Sequence, residues 1–350
     1  MTRIKSLPLT LLAVSLCLGA LSLAGPARAQ TTLKIATVIP ENTEWMATMR
    51  EGIAEIEDRT DGRVSFKIYG GGVQGSNAQM RRKMRIGQLH GGVFTSGGLR
   101  FFEPNAEIYG LPRLFRNYDE VAYVRERMDA EIYRRLEAAG YVTFGYAGGG
   151  FAHLVSREPV AERADLKGTK LWIPDGDTVA QLATRALGVS PVTLPVTDVL
   201  TGLQTDLIDT VMGPPVGVIV MQWHTAVSHI TDLPLAYIYA GLLIDERPWS
   251  KIAPADQAVV REVMERIYAR FDAQGVADDR EAMEALLSQG LERVPMTEAE
   301  TARWDELFEE TNREAGRTGN FDLSLLETLK CHLAVYRGEA AEGSCEQASG

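Results

Sequence analysis

The chain has 350 residues, of which 45% are hydrophobic and 24% charged, and its formal net charge is −11. That length leaves room for two ordinary domains. An acidic balance of this size argues against nucleic acid or anionic lipid as the partner, since both require a basic footprint.

The chain begins with a basic pair, Arg3 and Lys5, followed by an apolar run from Leu9 to Leu23 and then Ala27-Arg28-Ala29 before Gln30. A basic start, a short apolar core and an Ala-x-Ala site are the three parts of a secretory signal peptide, so residues 1–29 are predicted to be removed on export. The run is too short for a membrane anchor. Cys17 follows a bulky Leu16, where lipoprotein processing requires a small residue. A periplasmic chain starting near Gln30 is expected, with a charge of −14 once Arg3, Lys5 and Arg28 are gone. No later stretch is long enough to span a bilayer, and direct membrane insertion is not expected.

From there strand-like and helix-like segments alternate. Residues 32–38 read as a strand, and Trp45, Met46, Met49, Ile53 and Ile56 recur at helical spacing. Residues 64–69 alternate apolar and polar like a half-buried strand. Further strands are predicted at 91–95, 141–147, 151–156, 170–174, 191–194 and 210–213, separated by amphipathic helices. Such alternation predicts an α/β fold with mainly parallel sheets. Beyond Pro254 the pattern is helical up to Leu287, with Gly275 inside it. A helix of that length is roughly 50 Å long, more than one domain needs. Thr297 and Glu300 have the spacing of a capping box for one more helix. The exported chain keeps two cysteines, Cys331 and Cys345, and in an oxidising compartment they are expected to pair and close the tail into a loop.

The chemistry-bearing motifs are few. Gly70-Gly71-Gly72-Val73-Gln74-Gly75 satisfies G-x-G-x-x-G, but no acidic residue follows about 20 positions later, so a tight turn between strand and helix is the better account. His224 and His229 are five apart and do not share a helix face. There is no H-E-x-x-H, C-x-x-C or G-x-S-x-G. His153 lies in a strand and reads as a satisfied core or domain-edge residue. No nucleophile–base pair emerges; neither an enzyme nor a cofactor is expected.

Several segments, taken in order, resemble the DctP-type receptors of TRAP (tripartite, ATP-independent) transporters. They are the Thr60-Asp-Gly-Arg63 turn, Gly110-Leu-Pro-Arg-Leu-Phe115, Asp165-Leu-Lys-Gly168 leading into Lys170-Leu-Trp-Ile-Pro174, and Ala186-Leu-Gly-Val-Ser-Pro191. Val199-Leu-Thr-Gly-Leu-Gln-Thr205 and Trp249 with Pro254-Ala-Asp-Gln257 complete the series. The resemblance implies a two-lobed, type II-like periplasmic binding fold with hinge crossovers and a long helix spanning both lobes. By that division, residues 30–149 with about 238–277 form one lobe and 150–237 with about 278–330 the other; 331–350 form the tail. It also implies a small-molecule solute captured by hinge closure, docking to the transporter's membrane subunits, and a monomer. A sensor presenting its solute to a signalling receptor would use the same lobes.

The chain departs from the family where acids are bound. The family's arginine in "LKIRVP"-like sequence is Trp172 here, and the arginine of its "GFRH"-like segment is Ala152. Met212-Gly213-Pro214 replaces the family's polar "ENP"-like stretch. Neither indole nor methyl can replace a bidentate guanidinium. The expected ligand is therefore not a carboxylate held in the usual clamp, but an aromatic, aliphatic or cationic solute. Trp172, Trp223 and Trp45 would offer flat apolar faces. Asp175 and Asp177 could favour a cation, but a helix N-cap is the stronger account, because Asp177 leads straight into an apolar-periodic helix. Pro174, Ser96, Met212 and Gly213 complete the candidate lining. Core packing is the competing account for Trp172 and for Trp223. Arg100 and Arg113 are candidates for a displaced clamp or for surface residues.

Overall fold

A computed structural model describes residues 30–341 and 343–345; the expected leader, residues 1–29, lies outside the described residues. The chain opens with strand β1 (Thr31–Ala36), helix α1 (Glu44–Arg59), β2 (Val64–Tyr69), helix α2 (Asn77–Arg85) and β3 (Gly91–Thr95). β1 pairs in parallel with both β2 and β3, the arrangement that βαβ crossovers produce. Side chains cap the starts of α1 and α2. Thr43 accepts the Met46 N–H, and Ser76 with Gln79 forms a full capping box. The glycine-rich segment between β2 and α2 is a turn, with Gly71, Gly72 and Gly75 at φ of +62°, +70° and +93°.

Helix α3 (Tyr118–Ala138) and the two-residue β4 (Tyr141–Val142) lead into β5 (Tyr146–Ser156), which is a single strand of 11 residues. The sequence predicts two strands here, 141–147 and 151–156. Gly148-Gly149-Gly150 interrupts the alternation but not the backbone, which continues through with Gly150 at φ +95°. β6 (Trp172–Pro174), helix α4 (Thr178–Leu187), β7 (Val192–Leu194), β8 (Thr210–Gly213) and β9 (His229–Thr231) follow. The chain then forms β10 (Ala236–Asp245), helix α5 (Pro254–Ser288), β11 (Glu292–Val294), helix α6 (Glu298–Arg317) and helix α7 (Leu323–Tyr336).

β5 makes the molecule two-lobed. Its first part, Tyr146–Ala152, pairs antiparallel with β10, which in turn pairs with β3. Its last four residues, His153–Ser156, pair with β8, and Val155 and Ser156 also pair with β9. One continuous strand thus belongs to both sheets. Helix α5 lies across this junction: a Cβ on Gly275 would sit 2.3 Å from the Gly148 carbonyl oxygen, so the helix rests directly on the strand. Val260, Val263, Met264 and Ile267 of α5 pack into the first lobe, and Leu286 packs into the second. At 35 residues α5 is about 52 Å long, and Gly275 does not break it.

Helix α7 folds back onto the first lobe. Leu325, Leu326, Leu329 and Leu333 of α7 are buried in the first lobe's core with Phe115, Met128 and Ile132, each worth roughly 1.5–3 kcal/mol of burial. Cys331 and Cys345 are joined in a disulfide. Thr297 caps α6, accepting the Glu300 N–H at 3.2 Å, but the Glu300 carboxylate turns outward from the box. It accepts from the Arg163 backbone and the Trp304 indole instead.

Two family-like motifs gain a physical account. In the Thr60–Arg63 turn, Arg63 makes a two-pronged pair with Asp256 at 2.9 and 2.8 Å, tying the end of α1 to the start of α5. Gln257 donates to the carbonyls of Trp249 and Ile252. No helix among the described residues is long and apolar enough to cross a membrane.

Candidate functional site

The lobes are in contact in this structure. Thr197 of the second lobe fills the space beside Gly72 of the first, where a Cβ would come within 2.3 Å of its methyl group. Phe101 sits against Gly176 in the same way, at 2.7 Å. Arg100 donates to the Gly176 carbonyl oxygen at 3.2 Å. Both glycines lie at φ above +70° or equal to it, where a side chain would be strained as well as crowded.

Beneath these contacts a cavity of about 100 Å³ lies between the lobes. The first lobe contributes the turn at Ser96–Gly97 and Glu107, and the second contributes Leu171–Ile173 and helix α4. Leu154, Leu235 and Ala236 of the crossover strands, with Trp304 and Phe308 of α6, close it. Its wall is apolar apart from Ser96, Glu107, Asp177 and Thr184. Among the described residues lining it there is no arginine, lysine or histidine.

Of the candidate residues, Ser96, Trp172, Asp177 and Met212 line this cavity. The remaining candidates are elsewhere. Ala152 is fully buried at the strand junction, opposite Ala236, and Pro174 pairs with Leu194. Trp45 stacks on Phe271 at 5.0 Å on the α1–α5 face, so it is packing. Trp223 is 4% exposed and meets Trp172 edge-on at 5.4 Å; a Cβ on Gly213 would touch its ring. Its indole packs behind Trp172 and does not face the cavity. Trp172 combines both accounts: its Nε1–H donates to the Leu194 carbonyl oxygen at 2.9 Å while the ring forms part of the cavity wall.

Asp177 also combines its two expected roles. One carboxylate oxygen accepts the Ala180 N–H at 2.8 Å, capping α4, and the other lies beside Gly97 across the cleft. The residue is half-buried as a whole, but its carboxyl is enclosed, and that enclosure raises its pKa.

Sequence reasoning missed Glu107. It stands in the short helical segment Pro104–Gly110, only 4% exposed, with one oxygen bonded to Arg100 Nε at 3.0 Å. Burial pushes its pKa up to about 8, against the pull of the Arg100 charge. Nothing in Asn105-Ala-Glu-Ile-Tyr109 distinguishes a buried glutamate from a solvated one.

The arginines proposed for a displaced clamp are engaged internally. Arg100 holds Glu107, Gly176 and Asn320. Arg113, at φ +56°, holds Asp305 at 2.6 Å and the Pro234 carbonyl oxygen. Neither is a surface residue: their side chains are 14% and 5% exposed. A second cavity of about 110 Å³ borders the strand junction beside Arg125, which pairs with Asp129 and Asp272. Asp279 nearby accepts from the Tyr118 hydroxyl, and burial raises its pKa to about 6. His153 is buried with Nδ1 2.9 Å from the Thr231 carbonyl oxygen, a satisfied core residue. No group of three or more potential ligand side chains among the described residues is arranged to hold a metal ion.

Comparison with known proteins places this architecture. A family model described as bacterial extracellular solute-binding protein, family 7 (DctP), matches residues 35–317. A solute-binding protein of Verminephrobacter eiseniae is 27% identical over 73% of this chain and 78% of its own length. The C4-dicarboxylate-binding periplasmic protein DctP of Rhodobacter capsulatus is 24% identical over 85% of this chain and 88% of its own. Among solved structures, a TRAP periplasmic solute-binding protein of Ralstonia eutropha H16 with bound (S)-2-acetolactate superposes with a TM-score of 0.80. It is 18% identical and covers 87% of this chain and 99% of its own.

Proposed function

The chain belongs to family 7 of the bacterial extracellular solute-binding proteins, the DctP family, and on that premise we propose that it is the periplasmic receptor of a TRAP transporter for a solute without an arginine-clamped carboxylate. Capture occurs in the cavity between the lobes. Hinge motion at the β5–β10 crossovers and along α5 opens and closes it, and the closed form docks to the membrane subunits. We place the lobe boundary at Ala152–His153 and again just before β10. The receptor acts as a monomer.

One observation carries the ligand part of this reading. The cavity wall offers the rings of Trp172, Trp304 and Phe308, aliphatic side chains and two carboxyls but no cationic side chain among the described residues, and Arg100 beside it is already bound to Glu107. A carboxylate solute would enter an apolar, acid-bearing space with no counter-charge, an unfavourable transfer. The relatives named for C4-dicarboxylate and acetolactate mark the class from which this chain departs.

A thermal-shift panel tests the reading. Aliphatic, aromatic or cationic solutes of small size are expected to raise the melting temperature by several degrees, and succinate and glucuronate to leave it unchanged. Stabilisation by carboxylates alone would refute it.

A further inference from the structure

The charges around the cavity do not balance. Two carboxyls, Glu107 from the first lobe and Asp177 from the second, reach its wall, and one guanidinium, Arg100, stands beside them. Arg100 satisfies a single oxygen of Glu107. The other oxygen accepts no hydrogen bond among the described residues, although the side chain is only 5% exposed. Asp177 uses one oxygen on the α4 cap and presents the other toward Gly97. With both carboxyls ionised the set carries one uncompensated negative charge in an otherwise apolar enclosure; without a solute Glu107 avoids it by keeping its proton, and a bound cation would pair it instead.

Size narrows the partner further. An apolar cavity of about 150 Å³ takes one benzene, so about 100 Å³ takes roughly four heavy atoms by the same scale. The wall offers few hydrogen-bond partners and a Trp172 ring, which suits a cation whose charge is sheathed in methyl groups.

Resting on the receptor reading above, we propose that the captured solute is a small organic monocation of about the size of tetramethylammonium, held by the charge left over in the Glu107–Asp177–Arg100 set and by apolar contact with Trp172 and the α4 face. Lobe closure completes the site, because Glu107 and Asp177 come from opposite lobes. In the open form the two carboxyls separate and the cation loses half its counter-charge.

Calorimetric titration of the exported chain tests this with three probes of one shape: tetramethylammonium, neutral tert-butanol, and trimethylacetate, each against sodium chloride at matched ionic strength. Tetramethylammonium is expected to bind saturably and more tightly than both others. Glu107→Gln is expected to weaken it ~30-fold or more, the scale for removing one partner of a buried charge pair. Asp177→Asn, which keeps the helix cap, is expected to weaken it in the same direction, and tert-butanol binding should not fall in either variant. Urea unfolding of each variant confirms that it is folded. Tighter binding of trimethylacetate or tert-butanol, or tetramethylammonium binding that both variants preserve, overturns the monocation assignment. The transport-receptor reading would survive any of these outcomes, whereas tighter binding of trimethylacetate would also count against its non-carboxylate ligand, which the solute panel tests separately.

Discussion

Replacing Trp172 with alanine is expected to lower the unfolding free energy by about 3–5 kcal/mol, the range for removing a large buried aromatic. Three contributions combine. The side chain is 4% exposed and sits in the second lobe's core with Val199, Leu203 and Val218. Its ring meets Trp223 edge-on at 5.4 Å, and pairs of this geometry add about 0.5–1.5 kcal/mol beyond burial. Its Nε1–H satisfies the Leu194 carbonyl oxygen on β7, and losing that donor costs about 1 kcal/mol more. Trp172→Phe keeps most of the packing and should cost less than half as much. Urea denaturation with unchanged slope checks both values. A loss below about 1 kcal/mol for the alanine variant would show that the indole is not part of the core.

The second large effect is a pH dependence. The Glu107 pKa is raised from 4.5 to about 8, chiefly by burial. A group whose folded pKa is raised holds its proton more tightly in the native state than in the unfolded one. Its stabilising contribution is fully present below pH 4.5 and is lost as pH rises through about 8. A shift of that size corresponds to something on the order of 4 kcal/mol. The charged groups facing Glu107 are Arg100, which opposes the shift, and Asp177, which adds to it; the Tyr239 hydroxyl also feels its charge. Other buried groups titrate in the same window. Asp279, raised to about 6, acts with the same sign, and His153, lowered by burial, acts with the opposite one. The informative quantity is therefore the difference between the native chain and Glu107→Gln. The variant should lose much less stability between pH 5 and pH 8.5, by urea melts at fixed ionic strength. Equal slopes for the two proteins would contradict the buried-acid account.

Much of the fold was legible because it depends on local pattern. Alternating strands and amphipathic helices, the Thr297 cap and the helical period on either side of Gly275 in α5 are written in neighbouring residues. The family-like turns could be read for the same reason, and the structure adds the cause: the Arg63–Asp256 pair is a contact across 193 positions. β10 was missed because Ala236–Asp245 is apolar on both faces, buried between two antiparallel neighbours, and such a run has no period to reveal it. β5 was divided in two because three glycines resemble a loop, although here they allow α5 to approach the strand.

The site was less legible, since burial decides it. Trp45, Trp172 and Trp223 share a residue type, yet only Trp172 borders the cavity; Trp45 is covered by Phe271 and Trp223 by Trp172 itself. Arg100 and Glu107 are seven positions apart and pair within the first lobe, but their place at the cavity edge depends on the second lobe, whose Gly176 carbonyl Arg100 also contacts. The lack of a clamp at Ala152 and Trp172 is an expectation that rests on the family resemblance alone. What occupies the site instead is a tertiary property.

Native mass spectrometry of the protein, isolated from the periplasm without denaturation or solute exchange, tests the central claim most directly. The account predicts one small bound solute that lacks a carboxylate and is released when the chain unfolds. A tightly retained sugar acid or dicarboxylate would contradict it.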